Sequence, residues 1–141
     1  MLLGKPTEIQ AKAEFGETGV DVKVDIEFLY DNTCSASLTY SLLEYTASDL
    51  IIEGEWGTLE VGHRFHGLNN YDLRIKNKVR KTSNFKYNCN GYMYEANEVA
   101  RCISLSQAES EFMPLDFTTE LMSLLDQVRS KAGIFYLLYD V

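Results

Sequence analysis

Two histidines three residues apart are the side chains of this sequence best suited to share a metal ion. His63 and His66 are its only histidines. On a helix this spacing would bring both imidazoles to one ion, but the surrounding residues predict the end of a strand followed by a loop. The sequence places no third ligand beside them. We therefore predict an ordinary pair of loop histidines and no metal site.

Three acidic residues in the last third of the chain have the chemistry of the carboxylate pair used in glycoside hydrolysis. Glu109 and Glu111 fall in a polar connection between two predicted helices. Asp116 follows Pro114, where a helix is predicted to begin and where a carboxylate accepts a hydrogen bond from the first turn. We therefore interpret Asp116 as an N-cap and predict no catalytic residue in this region.

Glycines that cradle a phosphate would be expected between a strand and a helix, in the pattern GxGxxG. The sequence lacks this pattern, and Gly54 with Gly57 provides only GxxG between two predicted strands. A tight turn explains these two glycines without a ligand. We predict that the chain itself contains no cofactor-binding residue.

Composition and charge narrow the class of protein. The chain has 141 residues, 45% of them hydrophobic, and a net charge of −8, which indicates one globular domain over residues 1–141. No apolar run approaches the roughly 20 residues of a membrane span, and the N-terminus lacks a signal-peptide layout. The densest basic stretch, residues 74–86, is predicted to be a solvated strand and loop, so we expect no nucleic-acid partner.

Three cysteines, Cys34, Cys89 and Cys102, form an odd set without a close pair. This usage argues against a disulfide framework and favours a reducing, cytoplasmic compartment. Cys34 and Cys102 fall on apolar faces, which predicts small buried side chains, whereas Cys89 is predicted to lie in a loop.

The first 76 residues predict about six strands, because apolar and polar residues alternate and only short turns separate the runs. Such short connections require antiparallel pairing. Residues 77–91 predict a loop. Two helices follow, the first with apolar residues at spacings of three and four and the second ending at Gly133. The first helical stripe consists of Met93, Ala96, Val99, Ala100 and Ile103.

Strands followed by helices predict an α+β fold, an open-faced and mainly antiparallel sheet with both helices packed on one face. The opposite face would then stay open. The residues predicted on this open face are small or polar, and they include Lys23, Asp25, Ser37, Thr39 and Ser41.

The late part of the sequence resembles the end of the Gfo/Idh/MocA oxidoreductases, with the dihydrodiol dehydrogenase-like branch matching best. The similarity rests on YEANEVARCI at 94–103, ES at 109–110, MPLD at 113–116, and LM at 121–122 followed by Asp126, Arg129 and Gly133. Weaker resemblance at 3–6, 18–21 and 52–57 extends it over essentially all 141 residues.

The resemblance implies a C-terminal sheet domain that shapes a substrate pocket and forms a homodimer through its open face. The parent enzyme would use NAD or NADP to oxidise a sugar- or diol-like substrate. The expected dimer face consists of Lys23, Asp25, Ser37, Thr39 and Ser41.

The departures from the family pattern concern catalysis. The nucleotide-binding Rossmann half, the Glu-Lys-Pro motif and the Asp-x-x-x-His segment are absent from these residues. Lys5-Pro6 follows Gly4 instead of a glutamate, so the catalytic role of the family lysine is not transferred to Lys5. We therefore expect this chain alone to be inactive.

Two alternatives remain open from the sequence. One is a freestanding dimerisation or interaction module of the same fold. The sequence is also compatible with a small-molecule-binding domain, whose cavity of about 300 Å³ would be lined by Val24, Ile26, Leu38 and Tyr40.

Overall fold

The computed structural model describes residues 2–31, 34–67, 69–76, 78–87 and 90–136, with the backbone alone at 79 and 80. These residues form seven strands, two helices and one short 3₁₀ turn, Phe65–Gly67. The strands are β1 (Glu8–Phe15), β2 (Asp21–Tyr30), β3 (Cys34–Ser41), β4 (Leu50–Gly54), β5 (Gly57–Val61), β6 (Asn70–Ile75) and β7 (Lys78–Asn84), and the helices are α1 (Tyr92–Ser104) and α2 (Leu115–Ala132).

The chain divides into two compact units, Met1–Thr46 with Glu111–Val141, and Ala47–Ser110. The first unit contains an antiparallel sheet in the order β1-β2-β3. The turn that connects β1 to β2 contains Gly19 at φ +78°. Glycine adopts this backbone conformation without strain. Because side chains alternate across a strand, the period-2 pattern of β2 directs its apolar residues to one face.

Helix α2 lies against β1 in the first unit. The unit's most deeply buried hydrophobic side chains are Ile9, Val24, Val128 and Ile134, each 5–8% exposed. The helix ends as predicted, with Gly133 in the left-handed conformation at φ +71° and with Arg129 and Lys131 in the last turn.

The start of α2 corrects the predicted N-cap. Pro114 occupies the N-cap position without a side-chain cap bond, and Asp116 lies inside the first turn. Proline there supplies a fixed φ and lacks the N–H that a helix start leaves unpaired. The negative charge of Asp116 is still favourable, because it lies near the positive end of the helix dipole.

The second unit contains an antiparallel sheet in the order β4-β5-β6-β7. Its tightest backbone approach lies at Gly57, which pairs with Ile75. A Cβ at Gly57 would overlap the carbonyl oxygen of Arg74. Strand packing therefore explains why position 57 has no side chain, and the prediction of a turn at Gly54 and Gly57 is confirmed, since they are the paired ends of β4 and β5.

Strand β7 corrects the prediction of a loop over residues 77–91. Its pairing with β6 contains an irregularity between Leu73 and Arg74, and the hydroxyl of Thr82 donates to Asp72 at 2.6 Å. The segment KVRKTSN has few apolar residues, so it lacks the alternation that predicts a strand. A lysine-rich edge strand is nevertheless common, because charge discourages pairing with other chains.

Helix α1 forms where it was predicted, but its exposed face differs from the expectation. In the predicted apolar stripe, Val99 is 58% and Ile103 is 72% exposed, whereas Cys102 is the buried residue of the helix. The physical reason is a polar network around Glu98, described below, which turns the opposite side of the helix toward the following segment.

The prediction of an α+β fold with mainly antiparallel, open sheets and two C-terminal helices is confirmed. The structure distributes seven strands over two sheets, whereas the sequence indicated about six strands in one. The assignment of residues 1–141 to a single domain stays a prediction. Within the described part of the chain, neither helix combines the length and the hydropathy needed to cross a membrane.

Candidate functional site

The five residues predicted for a dimer face lie on one face of the first unit's sheet. The β2–β3 register pairs Lys23 with Ser41, and Asp25 with Thr39. Ser37 is opposite Glu27 two residues further along, so all these side chains point to the same side. Strand β1 adds Lys12 opposite Asp25. The result is a polar sheet face whose shallow depression, of about 490 Å³, includes Asp25, Ser37 and Thr39 in its lining.

Short hydrogen bonds fix the side chains of this polar face. The Thr39 hydroxyl donates to Asp25 at 2.8 Å, and the Lys23 ammonium donates to Glu44 at 2.8 Å. The hydroxyl oxygen of Ser41 accepts from the backbone N–H groups of residues 43 and 44. The hydrogen bond from Lys23 to the Glu44 carboxylate, and then the negative charge of Glu44, raise the pKa of Lys23 above its usual value.

A second polar cluster lies in the other unit, at the segment on which the family resemblance depends most. The carboxylate of Glu98 accepts two hydrogen bonds from Arg101, both at 2.8 Å, and one from the Ser110 hydroxyl at 2.6 Å. The Cys102 thiol contacts Glu98 at 3.5 Å and the carbonyl oxygen of Glu109 at 3.7 Å. Glu98 therefore ties α1 to the chain that follows it.

The Glu98 cluster stabilises the charged form of its carboxylate. Hydrogen bonds from Arg101, and next from Ser110, lower the pKa of Glu98 to about 2. A group this acidic stays ionised at neutral pH and is a poor general base. The most specific part of the family motif thus has a structural role within this chain.

His63 lies in the loop after β5, as predicted, whereas His66 lies in the 3₁₀ turn Phe65–Gly67. The Nδ1 atom of His63 donates to the carbonyl oxygen of Ala47 at 2.8 Å. The ring of His66 lies edge-on to the ring of Phe65, with 5.8 Å between their centroids. No cluster of three metal-ligating side chains occurs among the residues that the structure describes.

The described residues do not fit a nicotinamide dinucleotide. Gly54 and Gly57 join two antiparallel strands, so no helix N-terminus follows them to receive a pyrophosphate. Helix α1 begins after Gly91 and helix α2 after Pro114, and the sequence has no GxGxxG before either. We derive no catalytic step through such a cofactor from these residues.

The described cysteines follow the sequence expectation in part. Cys102 is buried and Cys34 is half-buried, and neither forms a disulfide within the described part of the chain. Cys89 lies outside the described residues. Asp116, from the acidic set, lies in the first turn of α2.

A cleft between β1 and α2 was not predicted from the sequence. It has a volume of about 360 Å³ and is lined in part by Lys5, Ile9, Glu120 and Leu124. The Lys5 ammonium pairs with the Glu120 carboxylate at 2.9 Å. These residues differ from those predicted to line a cavity, Val24, Ile26, Leu38 and Tyr40. No periodic pattern indicates a cleft between a strand and a helix so far apart in the sequence. The i, i+3 spacing of Glu98 and Arg101 is a local signal for their ion pair, although no ion pair was predicted there.

Comparison with known proteins gives one consistent group of relatives. No family model matches the chain. Trans-1,2-dihydrobenzene-1,2-diol dehydrogenase of Xenopus tropicalis is 24% identical over 138 residues, which cover 94% of this chain and 42% of the enzyme. The proteins of that name from Homo sapiens and Danio rerio are each 26% identical over 138 residues, covering 94% of this chain and 41% of theirs. The chain thus spans about two fifths of the length of the curated relatives it matches, and the similarity supports an oxidoreductase-like segment.

Proposed function

We propose that residues 1–141 form the C-terminal sheet domain of an NAD(P)-dependent oxidoreductase of the Gfo/Idh/MocA family, in its dihydrodiol dehydrogenase-like branch. The observation that carries this proposal is a similarity that covers 94% of this chain but only 41–42% of each dehydrogenase. The α+β fold and the motif around Glu98 agree with it.

In this proposal the chain shapes a substrate pocket for a sugar- or diol-like compound and does not catalyse by itself. Hydride transfer requires a nicotinamide ring held against the substrate. The described residues offer no strand–glycine–helix unit to hold the dinucleotide, so residues beyond these 141 would supply it. A calorimetric titration with NADH and NADPH tests this proposal, and no binding is expected.

The proposed second role is homodimerisation through the polar face of β1, β2 and β3. A two-fold interface brings the same patch of both subunits together, so the charges and shape of the patch must be complementary to those of its own copy. This face combines Lys12 and Lys23 with Asp25 and Glu27, and its hydroxyl groups both donate and accept. The bonds from Thr39 to Asp25 and from Lys23 to Glu44 hold these side chains in place, which reduces the entropy lost on association.

Sedimentation velocity of the wild-type chain and of Thr39→Arg tests this interface. The arginine would add bulk and a positive charge at the centre of the face, so we expect a dimer for the wild type and a monomer for the variant. Thr18→Arg makes the same change in the exposed β1–β2 turn and should remain dimeric. A wild type that is monomeric at every concentration, or a dimeric Thr39→Arg, would contradict the proposal.

A second candidate function is small-molecule binding by the chain itself, which the cleft between β1 and α2 favours. Its volume of about 360 Å³ is enough for a small ligand, and it combines the apolar Ile9 and Leu124 with the Lys5–Glu120 ion pair. A fragment screen by protein NMR distinguishes the two functions. Saturable chemical-shift changes at Ile9 and Leu124 would favour the small-molecule function. The absence of such changes at the cleft residues would exclude it.

A further inference from the structure

A depression of about 450 Å³ lies beside the β4–β5 hairpin in the second unit. Its lining comes from the hairpin turn and from the facing strands β5 and β6, and neither the predicted dimer face nor the Glu98 cluster contributes to it. The lining residues with side chains that can contact a ligand are Glu55, Trp56, Thr58, Glu60, Arg74 and Lys76.

Trp56 is the most unusual residue of this depression. It is the only tryptophan of the chain, and it is 72% exposed in the two-residue turn between Gly54 and Gly57. Tryptophan has a large apolar surface that is usually covered, so an exposed indole beside a cavity offers a flat platform. Such a platform suits a ligand with an apolar face of similar width.

The floor of the depression contains a guanidinium and a carboxylate side by side. The Nη1 atom of Arg74 pairs with Glu60 at 2.9 Å across neighbouring strands, and Thr58 lies directly opposite Arg74 in the register. The Nε atom of Arg74 is buried without a hydrogen-bond partner among the described residues, whereas the side chain as a whole is 43% exposed, so a ligand would meet the outer part of the guanidinium. A donor and an acceptor thus lie side by side over a short distance.

Lys76 places a second cation at the edge of the depression. It lies one residue beyond the Gly57–Ile75 pair, which puts it level with Trp56. Its φ of +53° belongs to the two-residue hairpin turn between Ile75 and Lys78, where positive φ values are usual, so the turn itself accounts for this conformation.

The charges of the lining decide the class of ligand. Glu55 and Glu60 balance Arg74 and Lys76, so neither an anion nor a cation is favoured overall. A hydroxyl group donates and accepts at once, which matches a carboxylate beside a guanidinium. We infer that this depression binds a neutral polyhydroxylated ring, a sugar or cyclic polyol, stacked on Trp56 with its hydroxyl groups on Glu60 and Arg74. The inference depends on the second unit alone, so it stands or fails independently of the oxidoreductase proposal.

Fluorescence of Trp56 measures this binding directly, because no other tryptophan contributes. The probes are D-glucose, D-glucuronate and D-glucosamine, which share a ring and differ in charge, with the amine kept protonated at mildly acidic pH. We expect a saturable emission change with D-glucose and at least about threefold weaker binding of both charged sugars. No saturable change with any probe, or tighter binding of a charged sugar, would overturn the inference.

Two variants and a matched control locate the site. Arg74→Gln and Glu60→Gln should each weaken D-glucose binding about tenfold, since each removes charge-assisted hydrogen bonds. Glu53→Gln changes a β4 carboxylate outside the depression and should bind like the wild type. Circular dichroism checks that each variant is folded. If Arg74→Gln unfolds, the loss of D-glucose binding is still measured with Glu60→Gln.

One further measurement separates a sugar site from a protein contact at the same tryptophan. Sedimentation velocity of the wild type and of Trp56→Ala should give the same oligomeric state. A change of oligomeric state in Trp56→Ala would assign the exposed indole to association between chains and overturn the sugar site. Equal binding of D-glucose by Glu60→Gln and the wild type would also overturn it.

Discussion

The two helices of this chain differ in whether their apolar faces are buried. Helix α2 lies against β1 and buries Val128, which is 5% exposed. Helix α1 leaves Ile103 exposed and turns Glu98 and Cys102 toward the segment that ends at Ser110. A spacing of three and four residues therefore predicts a helix in both places, but the partner that a helix meets decides which face is covered.

The largest expected effect comes from the same truncation at one buried and one exposed isoleucine. Ile9→Ala removes a side chain packed between β1 and α2, so we expect a loss of about 2–5 kcal/mol in the free energy of unfolding. Ile103→Ala, on the exposed stripe of α1, should change it by less than about 0.5 kcal/mol. Urea denaturation of both variants measures the difference, and comparable losses would show that the α1 stripe is covered in solution.

A smaller difference in stability is expected between alanine substitutions of two glycines, one after the end of α2 and one before the start of α1. Gly133 ends α2 at φ +71°, so Gly133→Ala should cost about 1–2 kcal/mol, since an L-residue is strained there. Gly91 precedes α1 at φ −59°, in the ordinary helical region, and Gly91→Ala should leave stability unchanged or raise it. Thermal unfolding of both variants makes the comparison, and a loss confined to Gly91→Ala would contradict it.

The smallest expected effects concern the pH dependence of the two polar clusters. The pKa of Glu98 falls from an ordinary value of 4.5 to about 2 in the folded chain. Its stabilising contribution is therefore present above pH 4.5 and is lost as pH falls through about 2, because the unfolded chain takes up the proton first. The pKa of Lys23 is raised above 10.5, so its contribution is lost only as pH rises through the folded value.

Unfolding curves recorded from neutral to acidic pH test the Glu98 contribution. Glu98→Gln should reduce the acid dependence of stability between pH 4.5 and about 2. Glu111→Gln, which changes a carboxylate in the exposed connection before α2, serves as the control and should keep the wild-type profile. Identical profiles for Glu98→Gln and the wild type would contradict the assigned pKa.

The predictable part of the fold was set by local patterns. Alternation over β2 and β3 placed Lys23, Asp25, Ser37, Thr39 and Ser41 on one face, and the register agrees. Gly133 was predictable as a helix end because few other residues adopt a positive φ. By contrast, β7 was missed because KVRKTSN lacks apolar alternation, and its pairing depends on β6 rather than on its own residues.

The unpredictable part of the candidate sites depends on contacts between distant residues. The bond from Ser110 to Glu98 spans twelve positions, and the ion pair of Lys23 with Glu44 spans twenty-one. The depression beside Trp56 requires the register that brings Arg74 opposite Thr58. No single-segment pattern encodes these pairings, so the sequence identified the residue types without their partners.

Calorimetric titration of the chain with NADH, and separately with NADPH, is the most direct test of its proposed place in an oxidoreductase. We expect no heat of binding for either dinucleotide, because the strands around Gly54 and Gly57 form a hairpin and provide no phosphate cradle. A full-length dihydrodiol dehydrogenase titrated in the same buffer provides the positive control. Saturable, tight binding of either dinucleotide to residues 1–141 would contradict the proposal that residues outside this segment hold the cofactor.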